Sequence, residues 1–396
     1  MALLIKSTGT CKKLKRHLLL QMPEAAKRTL QFRHRILPLL KKLEEPSTNM
    51  WCLGVSFESK GDKKERTVQL FEHSEMENQT HVTEFILLGF GEQQLLQTPL
   101  FLLFLLIYAV TMAGNILIIL LVVTDHHLHT PMYFFLGNLS CLEICCSSNI
   151  LPRMLSHFLT GPMTISINAC FVQEYIFGSL GAVECCLLSA MSYDRYLAIC
   201  KPLHYVTMMN GKLCLQLIAI SWISGTFASS LIIIIMSKLA FCVSNTIDHY
   251  FCDTLLIIEL SCSDTYTSKL FLYIVGCIVT FPPFTLTLMT YVYIIATIIK
   301  IPSTTGKQKA FSTCSSHLLV VTIFYGTLMS IYAIPNTIKV SSLHKVFSVI
   351  YTILTPMLNP IIYSLRNKEV KVAFRRLMSL IFVQIHKKSK FGASLV

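Results

Sequence analysis

Charge is what this 396-residue chain has least of. Only 14% of its residues are Asp, Glu, Lys or Arg, against roughly 25% in soluble globular domains. With 53% hydrophobic residues and a mean hydropathy of +0.59, that scarcity excludes a disordered chain and argues against an ordinary soluble domain, leaving one membrane bundle. Paired C-x-x-C units are missing although there are 15 cysteines, which excludes a zinc-finger framework. No internal repeat and no row of charges across several spans suggests a transporter or channel. At membrane depth there is neither a His/Cys/Asp ligand cluster nor a nucleophile–base pairing, so an enzyme is not expected. The net charge of +13 divides into +7 over residues 1–75 and +6 over the rest. Nothing beyond residue 95 offers a soluble basic face, so nucleic acid is not an expected partner.

Long uncharged runs are what the chain does have. Thr98–Val123, Leu213–Ser237, Leu270–Ile299, Leu318–Ile338 and Val346–Leu365 hold 26, 25, 30, 21 and 20 residues without a charge. About 20 apolar residues make a helix long enough to cross the hydrocarbon of a bilayer. Two further apolar stretches carry acids: Pro131–Leu151 contains Glu143, and Ala169–Met191 contains Glu174 and Glu184. Seven spans follow, and they must be helices because the bilayer offers an open backbone no water.

Flanking cations set the expected orientation. With the carboxyl terminus inside, 14 Lys and Arg fall on the inner flanks and tail and 5 on the outer side from residue 76 onward. The expected protein is therefore a multi-pass membrane protein with its amino terminus outside and its carboxyl terminus in the cytoplasm. The sequon Asn78-Gln79-Thr80 then lies on the glycosylated side, whereas Asn138-Leu139-Ser140 falls within the second span. Residues 1–20 show no apolar run of a leader's length, so the first span is expected to act as its own insertion signal. The basic stretch Lys12–Lys42 suits a membrane-surface helix but conflicts with the positive-inside rule.

Two motifs stand at the ends of spans. Asp194-Arg195-Tyr196 closes the third, where an arginine is costly unless paired and the adjacent carboxylate offers the pair. Asn359-Pro360-Ile361-Ile362-Tyr363 closes the seventh, where proline breaks one backbone bond and Asn and Tyr supply polar groups to the bundle.

With these motifs in these places the sequence resembles the rhodopsin-like G-protein-coupled receptors and, within them, the olfactory receptors. The resemblance rests on Leu128–Leu136 (LHTPMYFFL), Met191–Cys200 (MSYDRYLAIC), Lys309–His317 (KAFSTCSSH) and Pro356–Asn367 (PMLNPIIYSLRN). It runs from about Met76 to Met378. Departures are Ser192 and Thr290, each a small residue for a small residue, and Glu143 where Asp is usual.

The implied fold is an all-α membrane protein, a seven-transmembrane helix bundle over residues 98–365. Residues 76–97 form the extracellular amino terminus with its sequon. Residues 366–396 form the cytoplasmic tail, beginning with a short amphipathic helix with Val370, Phe374 and Leu377 at helical spacing. Residues 1–75, which the family lacks, are expected to be an atypical basic amino-terminal extension, either disordered or the product of an alternative or misassigned start.

The resemblance also implies function: a small, neutral, volatile odorant binds in the outer half of the bundle, and a stimulatory, olfactory-type heterotrimeric G protein is activated to raise cyclic AMP. The implied pocket comprises Phe177, Gly178, Gly181 and Ala182 on the third span, with Val275, Gly276 and Val279 on the fifth. The sixth adds Tyr325, Leu328, Met329 and Tyr332, and the seventh adds Thr352. This lining carries no charge. Coupling and switching fall to Asp194, Arg195, Tyr196, Tyr291, Asn359, Pro360 and Tyr363. Lys201, Lys212, Lys307 and Lys309 either rim the coupling groove or are topology signals only.

Disulfides Cys170–Cys252 and Cys242–Cys262 are implied, while Cys145, Cys146, Cys185, Cys186 and Cys314 read as packing residues rather than metal ligands. No cofactor is expected apart from an allosteric sodium ion at Asn115, Glu143 and Glu184; protonated glutamates hydrogen-bonded to neighbours are the alternative. Glu174 is expected to reach water at the outer end of its helix. A non-olfactory chemosensory receptor of the same fold is the alternative to the whole reading.

Overall fold

Helix starts are marked by side chains that occupy the backbone N–H groups a first turn leaves unpaired. Ser166 Oγ accepts from Ala169 N at the head of the third long helix, and Asn210 Oδ1 accepts from Leu213 N at 2.9 Å at the head of the fourth. The second opens on Pro131 at its first position, and Gly161, at φ 81°, ends it in the left-handed region that glycine favours. The computed structural model describes residues 82–90, 94–242, 244–333 and 341–379. The extension 1–75, the Asn78 sequon and residues 380–396 lie outside these.

Among the described residues seven helices are long and apolar enough to cross a membrane. They are α1 Gln94–Thr124, α2 Pro131–Thr160, α3 Ile167–Cys200, α4 Gly211–Met236, α5 Tyr266–Lys300, α6 Thr304–Ala333 and α7, which runs as Ser341–Val349, a wide π turn Ile350–Leu354 and Thr355–Arg366. An eighth helix, α8, spans 368–379. The five uncharged runs and the two acid-bearing apolar stretches locate all seven but understate them. The clearest case is α6, which starts at Thr304 rather than Leu318, because charges such as Lys307 and Lys309 end an apolar run without ending the helical hydrogen bonding.

A small sheet in the order β2-β1-β3 caps one end: β1 Glu84–Leu87 pairs antiparallel with β2 Met163–Ser166 and parallel with β3 Thr246–Ile247. The uncharged runs do not signal it.

Helix α3 is the axle, packing against α2, α4, α5 and α6, with Val183, Leu187, Leu188 and Met191 fully buried. The opposite pattern holds on α1, α4 and α5, where Leu106, Ile223, Phe227 and Ile278 face outward, as lipid-facing residues do. Close approach of α4 to α3 depends on Gly225. A Cβ there would lie 2.7 Å from Val183 Cγ2 and 2.8 Å from the Ser179 carbonyl oxygen. Gly225→Ala is therefore expected to cost about 1–3 kcal/mol through overpacking, read as a lower melting midpoint of the purified protein in detergent. Gly326→Ala, where a Cβ meets nothing within 4 Å, serves as the control; equal midpoints for the two variants would refute the close contact.

Candidate functional site

Glycines on α3 open a cavity of about 170 Å³ near the sheet end of the bundle. Gly178 and Gly181 leave space on α3, flanked by Phe177 and Ala182. Val275, Gly276 and Val279 face it from α5, Leu328 from α6 and Thr352 from α7. Nine of the twelve expected pocket residues thus surround one space. Tyr325 and Met329 are not on its wall: the Tyr325 hydroxyl turns to the Cys185 carbonyl oxygen at 3.3 Å. The Tyr332 side chain lies outside the described residues.

The wall also holds residues that the sequence reading did not place there. Ala228, Ser229 and Ile232 come from α4, Tyr351 from α7, and Phe251, Asp253 and Thr254 from the loop between α4 and α5. The expectation of an uncharged lining is therefore corrected, because Glu174 and Asp253 both lie on the wall. Glu174 does not reach water either. It is 8% exposed, and Thr254 Oγ1 donates to its Oε1 from above. One signal was present in the sequence: Glu174, Gly178, Gly181 and Cys185 recur at intervals of four, three and four, a single helical face. The wide turn in α7 brings the adjacent residues Tyr351 and Thr352 to the wall together.

The loop forms a roof held from several sides. The disulfide Cys170–Cys252 ties it to α3, Cys242–Cys262 closes it on itself, and Cys252 N donates to Gln173 Oε1 at 3.1 Å. Thr352 Oγ1 donates to the Ser348 carbonyl, leaving Tyr250 to donate its hydroxyl to Thr352 at 2.9 Å. Lys345 Nζ bonds Asp248 Oδ1 at 2.5 Å and the Gly89 carbonyl at 3.1 Å. Asp253 Oδ1 caps the short helix Thr254–Glu259 by accepting from Leu255 N and Leu256 N.

Deeper in the bundle, Asn359 Nδ2 donates to Glu143 Oε1, and Asn115 Nδ2 donates to the carbonyls of Thr111 and Pro356. Asn115 Oδ1, Glu143 Oε2, Glu184 Oε1 and the Tyr363 hydroxyl are buried with no hydrogen-bond partner among the described residues. Three unpaired oxygens from Asn115, Glu143 and Glu184 suit a hard cation. The described residues contain no group of three or more His, Cys, Asp or Glu placed to hold a metal ion.

At the far end Asp194, fully buried, binds the Arg195 guanidinium and accepts from the Tyr205 hydroxyl at 2.8 Å. Burial and the Asp194 charge hold the Tyr205 phenol above its ordinary range. Tyr291 bonds His317 Nδ1 at 2.6 Å, and Tyr196 packs between Tyr193 and Tyr293. Pro360 lies against Gly114 of α1. Tyr133 of α2 donates to Asn367 and to Glu369 at 2.7 Å, anchoring α8. Val370 is buried and Leu377 packs on the core, while Phe374 is exposed.

The sequence profile of the olfactory receptor family matches residues 104–380. Olfactory receptor 1M1 of Mus musculus is 45% identical over 305 residues, 77% of this chain and 97% of the relative. Olfactory receptor 1M1 of Homo sapiens is 46% identical over the same shares. Olfactory receptor 11L1 of Homo sapiens is 46% identical over 304 residues, 77% of this chain and 94% of its own length. The chain belongs to the olfactory receptor family.

The receptor is thus a rhodopsin-like G-protein-coupled receptor, a multi-pass membrane protein and not an enzyme. Its roof carries a titratable group shielded from solvent. His249 is 1% exposed, lies between the rings of Tyr250 and Phe251 and faces His344 at 6.1 Å, with Lys345 and Asp248 alongside. Burial first, then His344 and Lys345, push its pKa down to about 3, against about 6.5 in an unfolded chain. The unfolded state therefore binds the extra proton between these values, and stability falls as pH drops from about 6.5 toward 3. Thermal melts of the receptor from pH 7 to 5 should show this decline, and His249→Phe should flatten it. An unchanged pH slope in the variant would remove His249 as its source.

Proposed function

We propose that the receptor binds a small volatile odorant in the roofed cavity and activates a stimulatory, olfactory-type G protein at the Arg195 end, raising cyclic AMP. The observation that carries this is the mostly apolar cavity against α3, on the helix that bears Asp194 and Arg195 at its other end. Mostly apolar walls suit a small ligand with a hydrocarbon body. A ligand that favours one helix arrangement shifts the population toward it. Release of Arg195 from Asp194 then frees a cation to meet the G protein, with Tyr291, Asn359, Pro360 and Tyr363 as the polar and bending elements that change arrangement.

The membrane is the plasma membrane, with the sheet end outside and α8 on the inner leaflet. Asn78 is the glycosylated asparagine. The unpaired oxygens of Asn115, Glu143 and Glu184 would hold a sodium ion. The ion would supply the positive charge these acids lack, and Asn359 orients Glu143 through its amide.

A cyclic AMP reporter assay of the full chain, of Met76–Val396 and of Arg195→Ala tests the proposal. Both wild-type forms should respond to odorant, and the variant should be silent at equal surface display. Retained signalling in Arg195→Ala would refute the coupling assignment. Within the same assay Gly178→Leu, whose Cβ already meets Ser229 Oγ at 3.0 Å, should fill part of the cavity and shift preference to smaller odorants. An unchanged ligand profile would move the site elsewhere.

A further inference from the structure

The cavity wall has one polar corner. A Cβ built on Gly178 would lie 3.0 Å from Ser229 Oγ and 3.7 Å from Glu174 Oε1. A hydroxyl from α4 and a carboxyl from α3 therefore flank the space that the glycine leaves, and both side chains line the cavity. Glu174 and Ser229 are 8% and 4% exposed. Ser229 also departs from its neighbours. Ser221, Ser224, Thr226 and Ser230 each donate to a carbonyl one turn back on α4, whereas Ser229 makes no side-chain hydrogen bond with a described residue.

Among the described residues no Lys or Arg lines the cavity, and the charged group that acts on Glu174 is another acid, Asp253. A carboxyl group removed from water is costly unless it is paired or stays protonated. Thr254 supplies one hydrogen bond to Oε1 but no charge. The corner thus lacks a cationic hydrogen-bond donor, and the rest of the wall is mostly hydrocarbon, with hydroxyl-bearing side chains at Thr280, Ser348, Tyr351 and Thr352 and the second acid at Asp253.

We infer that the cavity takes a small apolar amine, with its nitrogen seated between Glu174 and Ser229 and its hydrocarbon body against Val275, Val279 and Leu328. The inference rests on the reading that this cavity is the ligand site. The nitrogen donates to the Glu174 carboxylate and to Ser229 Oγ, and the ammonium charge balances the buried acid. An alcohol can donate to Glu174 but brings no charge, and a carboxylate meets two acids with no cation. At about 170 Å³ the space compares with the roughly 150 Å³ that accommodates benzene in a protein interior. Amines of that size are volatile as free bases and protonated in neutral water.

The test uses the full-length receptor in lipid nanodiscs, with benzylamine, benzyl alcohol and benzoate as probes of one skeleton. Binding is read as ligand-dependent thermal stabilisation, which does not require signalling. Benzylamine should bind more tightly than benzyl alcohol, and benzoate should not bind. Glu174→Gln, which keeps an acceptor for Thr254, should weaken benzylamine at least about tenfold and leave benzyl alcohol unchanged. If Glu174→Gln does not fold, Ser229→Ala serves in its place with a smaller loss. Benzylamine binding unaffected by either substitution would overturn the inference. So would benzyl alcohol binding without benzylamine, and so would no binding by any probe to folded receptor. In those cases a cyclic AMP response to other odorants, abolished in Arg195→Ala, would leave the receptor reading standing.

Discussion

A backbone in hydrocarbon has no water to bond, and the rest of the molecule is arranged around that constraint. Each span satisfies its own amides as a helix, so polar side chains become the means by which helices recognise each other. Asn115 reaches the carbonyl of Pro356, Asn359 reaches Glu143, and Tyr291 reaches His317. Each bond joins two different spans. The few buried charges are confined to the bundle interior, where a partner can be found, and the outward faces of α1, α4 and α5 are left to leucine, isoleucine and phenylalanine.

Helix α3 bears most of that interior. Its sheet end is fixed by the disulfide to Cys252, its middle supplies the cavity wall, and its other end holds the Asp194–Arg195 pair. A single rigid element therefore connects a ligand-sized space to a charge pair. Tyr205 adds a third member at that end, donating to Asp194 from the short helix Tyr205–Met208. Any movement that frees the arginine has to rearrange this hydroxyl as well.

The spans were legible because apolar runs of sufficient length have few other uses, and the two end motifs placed the charge pair and the bend. The α3 face of the cavity followed from helical spacing once Arg195 was fixed, and the α5 face from matching the family pattern on Tyr291. What escaped depends on chain path rather than period. The roof residues Phe251, Asp253 and Thr254 reach the wall because two disulfides fold the loop inward. Ser229 reaches it because Gly225 lets α4 approach α3. The Tyr351 contact needs the wide turn in α7, which no apolar pattern announces. Glu174 was the legible miss, since its position four before Gly178 already put it on the same face.

The space at Gly178 and Gly181 is made by missing side chains, with the Tyr351 hydroxyl 2.6 Å and Ser229 Oγ 3.0 Å from where the two methyl groups would stand. Glycine codons all begin with two guanines, and one base change at the second converts them to alanine, valine, aspartate or glutamate. The shape and the charge of the cavity are thus a single nucleotide away from several alternatives, while the helices that frame it stay in place. A gene built this way can change its chemical preference in one mutational step without rebuilding its fold.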